Sequence, residues 1–484
     1  MHPHKLAVAS TVVLLTLVLG VHAQSKKVNA NKSSVIASID KRSSELTTMS
    51  DEIWANAETA LREVKSAKTL ADYAEAQGFI VRRGVAGMPT AFVAEYGSGK
   101  PIIGIMGEYD ALPGISQKAQ PTKEPLQVGA AGHGCGHNLF GVGSLAAAIS
   151  VKELLAAGKL KGTVRFYGTP AEEAVGGKIY MAREGMFNDL DVCLDWHPAE
   201  EIAANVQSSQ AMVDFIVEFK GKAAHAAADP WNGRSALDGV ELFLDGVNML
   251  REHVQPSVRM HYVIQSGGDV PNVVPEHASI WMWVRDSKRA GVETVFARVK
   301  EIAKGAGMMA GVESSVRVQS GDYEILVNQR GAAALQKNVE ALGPIAYTPE
   351  EIAFAKKIQE VSQVEQTGLD GSIHPLQKTR DDPEGGSTDV GDISWIVPEI
   401  TINVTTAPIK APWHSWAVVA CGGMSIGHKG MFFAAKSLAM TMVDLFENEQ
   451  LRKEIRQEFL TRRGDHVYQP YVPEGPPPVP VAGN

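Results

Sequence analysis

The chain has 484 residues, more than one hydrophobic core ordinarily serves, so two domains are expected. Hydrophobic residues make up 44% and the formal net charge is -9, values that suit a globular protein and leave no basic footprint for nucleic acid. Three cysteines (Cys135, Cys193 and Cys421) exclude a disulfide framework.

In chain order, the first element is a processing signal. Met1 to Lys5 carries His and Lys, Leu6 to Gly20 is almost wholly apolar, and Val21-His22-Ala23 offers small residues for cleavage. Residues 1–23 are expected to be removed, leaving an exported chain, periplasmic or secreted, with no membrane attachment. An uncleaved anchor is the alternative, but the apolar run is short for a span.

From about residue 40 apolar strand-like runs alternate with helical ones, the pattern of an α/β domain. Ile102 to Met106 leads into Glu108-Tyr109-Asp110. Then comes Gly132-His133-Gly134-Cys135-Gly136-His137-Asn138. Cys135 and His137 are two apart, a spacing that suits a loop wrapping an ion better than one face of a helix. Thiolate and imidazole are donors that a borderline-soft divalent metal prefers. Taken alone, the stretch also reads as a His- and Gly-rich surface loop. The glycines of Gly141 to Ala146 read as close packing at a helix start rather than a dinucleotide fingerprint.

Thr163 to Tyr167 leads into Glu172-Glu173, and Val192 to Trp196, with Cys193 as a buried strand residue, ends at His197. Much later, Ile400 to Val404 leads through a Pro-containing loop to His414. Open α/β sheets bind ligands beyond the carboxyl ends of their strands. Four strands delivering carboxylates or imidazoles there point to one site. Each residue has a plainer reading on its own: an acidic first helical turn for Glu172 and Glu173, a turn for His197 before Pro198.

Between these runs lies a different pattern. Met212 to Phe219 alternates as a strand, Ser235 to Arg251 is helical, and Val258 to Gln265 and Ala278 to Arg285 are strands. Gly291 to Gly305 is helical and Ser314 to Gln319 is a last strand. The order β-α-β-β-α-β is that of a ferredoxin-like module inserted into the larger domain. At the C-terminus the Pro-rich residues 466–484 are expected to form an extended, poorly ordered tail.

In combination, several strings resemble the di-metal amidohydrolases that include aminoacylases, glutamate carboxypeptidases and indole-acetyl-amino-acid hydrolases, and within them the aminobenzoyl-glutamate hydrolase branch. They are Gly107 to Gly114, Gly134 to Gly141, Gly168 to Glu173, Trp196 to Pro198, Gly221 to His225, Asn272 to Pro275 and Ser387 to Gly391. The resemblance implies a mixed-sheet α/β catalytic domain (residues 40–209 and 324–465) with an inserted lid and dimerisation domain (210–323). It implies that Cys135, His137, Glu173, His197 and His414 hold two divalent ions, zinc or manganese, with Cys135 bridging them and Glu172 as general base.

Asp110 would orient a ligand imidazole. Where the carboxypeptidase branch has a His two residues before that Asp, this chain has Glu108, which is left without a role. His225 would reach a partner subunit's site to hold the oxyanion, and Asn272 and Arg285 are candidates for binding a substrate carboxylate. The activity implied is hydrolysis of the amide bond of an N-acyl amino acid or dipeptide, by a homodimer or a pairing with a related A-type subunit.

Two other readings stand beside it. Gly423-Met424-Ser425-Ile426-Gly427 matches the G-x-S-x-G elbow of a serine hydrolase. A non-catalytic exported binding protein that kept the fold is the second.

Overall fold

The computed structural model describes residues 28–380 and 385–480; the expected leader, residues 1–23, lies outside the described residues. Eleven strands form two sheets among the described residues. They are β1 (Ile80–Arg83), β2 (Phe92–Ser98), β3 (Ile102–Gly107), β4 (Gly162–Gly168), β5 (Val192–Ala199) and β6 (Ala203–Ala204). These are followed by β7 (Ala211–Lys220), β8 (Arg259–Ser266), β9 (His277–Asp286), β10 (Glu313–Ser320) and β11 (Glu399–Thr405).

The larger sheet has the order β1-β2-β4-β3-β5-β11-β6. Its four adjacent strands β4, β3, β5 and β11 run parallel, while β1, β2 and β6 pair antiparallel at the two sides. The fold is therefore the mixed-sheet α/β class expected. Both faces are covered, which is why the central strands read as nearly continuous apolar runs. Leu194 and Trp196 enter one core with helices Val64–Ala76, His137–Ala156 and Ser425–Glu447, whereas Cys193 enters a second core with helix Gly177–Arg183. Helix His137–Ala156 is long and apolar enough to cross a membrane, but it is a buried core helix here.

The smaller sheet, β10-β7-β9-β8, is antiparallel throughout, and helices Ala236–Leu250 and Arg289–Ala310 cover one of its faces. Strand alternation sorts the side chains. Val213, Phe215 and Val217 with Ile280, Met282 and Val284 pack under the helices. Met212, Asp214, Trp281, Trp283 and Arg285 have the opposite parity and line a cleft shared with the larger domain. The connection order is β-α-β-β-α-β.

Residues 466–480 form no helix or strand, yet they do not hang loose as the sequence suggested. Tyr468, Val472 and Val479 pack on the core around Tyr180, while Tyr471 packs on the core of the smaller sheet. Apolar and aromatic residues spaced along the Pro-rich segment explain the docking.

Candidate active site

The parallel strands place their carboxyl ends side by side, and the chemistry-bearing residues follow from there. Glu108 and Asp110 come directly after β3, Glu172 and Glu173 after β4, His197 from near the end of β5, and His414 from the loop after β11. Cys135 and His137 come from the start of helix His137–Ala156. Gly136 between them has φ 76°, and a Cβ there would press within 3.0 Å of Pro198, so only glycine allows this turn.

Two donor sets result. Cys135, His137 and His197 offer ligand atoms within 4.8 Å of one another, as do Cys135, Glu173 and His414. Cys135 is common to both. A third set joins Glu108, His137 and Glu172 at the same limit. Cys135 Sγ lies 3.4 Å from His197 Nε2, and His414 Nε2 lies 3.5 Å from Glu173 Oε2.

The imidazoles are held by their other nitrogens, as ligand histidines usually are. His137 Nδ1 lies 2.9 Å from Asp110 Oδ1, and His197 Nδ1 lies 2.7 Å from the carbonyl oxygen of Pro198. Asp110 also accepts the Glu173 backbone N–H at 2.9 Å, so one carboxylate fixes a ring and a neighbouring turn. That turn is strained: Ala171 has φ 62°, and its N–H is taken by buried Glu63. His414 has φ 54°.

Electrostatics favour a cation at this point. Burial, then the charges of Glu108 and Glu173, push the Glu172 carboxyl well above the carboxylate range. Burial also lifts Glu173 to about 7 and pushes the Cys135 thiol up. Burial lowers His197 to about 4, leaving a neutral imidazole, the form that binds metal. A divalent cation is the charge that turns such thiol and carboxyl groups into anionic ligands. Burial opposes it, but Glu108 and Asp110 hold His137 well above the ordinary histidine range, so that ring gives up a proton to bind metal. A soft thiolate, imidazoles and carboxylates fit a transition-type divalent ion.

The cleft above these residues has a volume of about 730 Å³. Cys135, Glu172, Glu173, His197 and His414 line it from the larger domain, and Trp281, Trp283 and Arg285 from the smaller one. Arg285 Nη1 donates to Ser387 Oγ at 3.2 Å, its guanidinium lies over Trp283, and its buried Nε makes no hydrogen bond.

Asn272 and His225 are not among the cleft residues of this chain. They are exposed neighbours on the smaller domain, where His225 bridges to Val273 and the Asn272 carbonyl accepts from Ala226. His225 Nδ1 accepts the backbone N–H groups of Ala227 and Ala228, at 3.2 and 3.1 Å, so the ring proton sits on Nε2.

Lys178 escaped the sequence reading. It is fully buried and donates to both Glu108 and Asp389 at 2.6 Å. Nothing around it in the chain signals this, although Asp389 belongs to the Ser387 to Gly391 string. Trp281 and Trp283 carried a signal that was overlooked, aromatic side chains on the polar parity of an amphipathic strand.

The serine elbow is not present. Ser425 opens a helix and is preceded by helix Trp416–Gly422, not by a strand, and its hydroxyl donates to Glu351 at 2.6 Å.

Comparison with known proteins places this fold and site among hydrolases that act on amide bonds. Residues 104–377 match the model of peptidase family M20/M25/M40. The chain belongs to that family. It is 38% identical to the B-type subunit of p-aminobenzoyl-glutamate hydrolase from Escherichia coli (strain K12), over 90% of this chain and 96% of the relative. It is 28% identical to the Xaa-Arg dipeptidase of Homo sapiens, over 87% of this chain and 90% of that one. Among solved structures, a Bacillus subtilis protein described as a dinuclear metal binding peptidase from the M20 family aligns with a TM-score of 0.57 at 17% identity. That alignment covers 84% of this chain and 99% of that one.

Proposed function

We propose that the chain is an exported, metal-dependent amidohydrolase that cleaves the amide bond of an N-acyl amino acid, with an aminobenzoyl-glutamate-like compound or a dipeptide as substrate. One observation carries this: two metal-compatible donor sets share Cys135, and Glu172 stands beside both while belonging to neither. Cys135, His137, Glu173, His197 and His414 are the residues that would hold two divalent ions, zinc or manganese. Such ions supply Lewis acidity, easing the ionisation of water and the polarisation of the amide carbonyl.

The chain's own groups do the rest. Glu172, with its carboxyl raised by burial and by neighbouring carboxylates, is suited to take a proton from water and deliver it to the leaving amine. Asp110 keeps the His137 ring in one tautomer. Arg285 lines the cleft and offers an unpartnered buried N–H, which suits a substrate carboxylate. Asp214 does not compete for that role, because its Oδ1 accepts the Trp281 indole N–H at 2.5 Å.

His225 carries its proton on Nε2, the form an oxyanion donor needs, but lies outside its own chain's cleft. It therefore serves a partner's site, and Asn272 beside it does the same. The partner is a second copy or a related A-type subunit; the E. coli (strain K12) relative is itself described as one half of an A and B pair.

The test is an assay of the purified mature protein against a panel of N-acyl amino acids and dipeptides, before and after chelation, with zinc or manganese restored. Activity that disappears with chelator and returns with metal is expected. Activity that survives chelation but dies with an organophosphate would overturn the proposal.

A further inference from the structure

We propose that Glu108 is itself a metal ligand, contributing Oε2 to the ion that His137 holds, and that Lys178 and Asp389 are the clamp that aims it. The inference rests on the metal-site reading above and adds to its ligands a residue that reading leaves idle.

Glu108 is 1% exposed, and its two oxygens have different surroundings. Oε1 receives the Lys178 ammonium at 2.6 Å. Lys178 is fixed in turn by Asp389, which accepts its Nζ at 2.6 Å and its backbone N–H at 2.9 Å. One carboxylate oxygen is thus committed and the carboxylate plane is set. Oε2 is turned toward His137 Nε2, 3.0 Å away. The two atoms are too poorly aligned for a hydrogen bond, and both are buried without any other hydrogen-bond partner.

An imidazolium paired with a carboxylate would direct its N–H at the oxygen. Here His137 directs Nδ1 at Asp110, and its Nε2 is not aligned on Glu108 Oε2, so no hydrogen bond closes that second contact. Two buried polar atoms 3.0 Å apart, each without a hydrogen bond, are satisfied together by a cation bound to both. Two donors each about 2.1 Å from one ion and about a right angle apart lie about 3.0 Å from each other. The separation observed is therefore that of neighbouring vertices in one coordination shell.

A buried Lys–carboxylate cluster is commonly only structural, and Lys178 with Asp389 would satisfy that role alone. Glu108 Oε2 is what such a cluster does not account for. The added oxygen donor, monodentate because Lys178 occupies Oε1, also shifts the His137 ion toward a harder, higher-coordinate metal.

The direct test is a crystal structure of the full chain loaded with Mn²⁺ alone, with the ions placed by anomalous scattering. A Glu108 oxygen within about 2.0–2.6 Å of an ion is expected; one beyond about 3.5 Å overturns the inference while leaving the amidohydrolase reading intact. A wild type that binds no ion removes that reading, and this inference with it.

In solution, E108Q should bind one of two Mn²⁺ equivalents at least about tenfold more weakly. Its cobalt-substituted form should absorb more intensely, because the coordination number falls. K178M should weaken the same equivalent by about tenfold, as loss of a residue that orients a ligand does. Unchanged metal affinity and cobalt spectrum in E108Q would leave Glu108 a structural carboxylate. Should E108Q not fold, the anomalous map of the wild type still decides.

Discussion

Glu172 and Glu173 are chain neighbours in one crowded pocket, yet only the second falls in the two sets built on Cys135. The difference lies in which way the strained turn after β4 throws each carboxyl. Glu172→Gln keeps shape and removes the basic oxygen, so turnover should fall by about two to four orders of magnitude with metal content unchanged by elemental analysis. A variant that kept half the wild-type rate would take Glu172 out of the mechanism. Cys135 presents the converse case. Its thiol is buried and pushed toward the neutral form, so a thiolate there needs a cation to sustain it. Cys135→Ser should lose metal on dialysis, and a stoichiometry still at two per chain would mean that Cys135 is only a small core residue. The residue types and short spacings around Cys135, Glu172 and His197 made their convergence on one cleft legible in the sequence. Lys178 was not legible, because its partners Glu108 and Asp389 lie 70 and 211 positions away in the chain. A lone lysine in a short helix gives no sign that it will be buried.

At the scale of elements, parity along a strand decides which side chains meet substrate. The order of the inserted module was readable, since β7 and β9 alternate cleanly. Strands β1 and β6, only four and two residues long, leave too little pattern to read. The pattern around Gly423 stood only as a rival reading, and it fails because a motif carries no information on whether a strand or a helix precedes it. Strand β8 forms one side of its sheet, and Val263 and Ile264 on it are 54% and 51% exposed. An unpaired apolar edge of this kind is a ready pairing surface. The Trp283 face beside it carries His261, its register partner on β8. Association through the smaller domain would bring His225 and Asn272 of one copy to another copy's cleft. His225→Ala should therefore be almost inactive, by about two to three orders of magnitude, with metal content intact. Mixed with Glu172→Gln, it should regain about a quarter of wild-type activity, because half the twofold dimers then carry one complete site. A mixture that stays dead after subunit exchange has been demonstrated would refute the trans role of His225.

Across the whole molecule, the C-terminal segment ties the two domains together. Tyr471 stacks under Arg289 at 3.3 Å on the smaller domain, and Tyr468 donates its hydroxyl to Asp392 of the larger one at 2.7 Å. Asp392 is fully buried and also accepts the Tyr323 backbone N–H at 3.1 Å. Burial pushes its carboxyl up to about 7 from an ordinary 3.8, against the pull of those two hydrogen bonds. The folded chain therefore holds this proton more tightly than the unfolded chain does. Linkage then fixes the sign: the contribution is fully present below about pH 4 and is lost as pH rises through about 7. In that window the Asp392 contribution makes the strap progressively less stable, and buried Asp322 nearby, its carboxyl also raised chiefly by burial, adds to the same slope. Asp392→Asn is nearly isosteric and neutral at every pH, so it removes one titration without opening a cavity. Between pH 5 and 7 its melting temperature should fall less than that of the wild type, and above about pH 7 the gap so opened should stay constant. Parallel curves would mean that Asp392 stays ionised in the fold, with its two hydrogen bonds outweighing its burial.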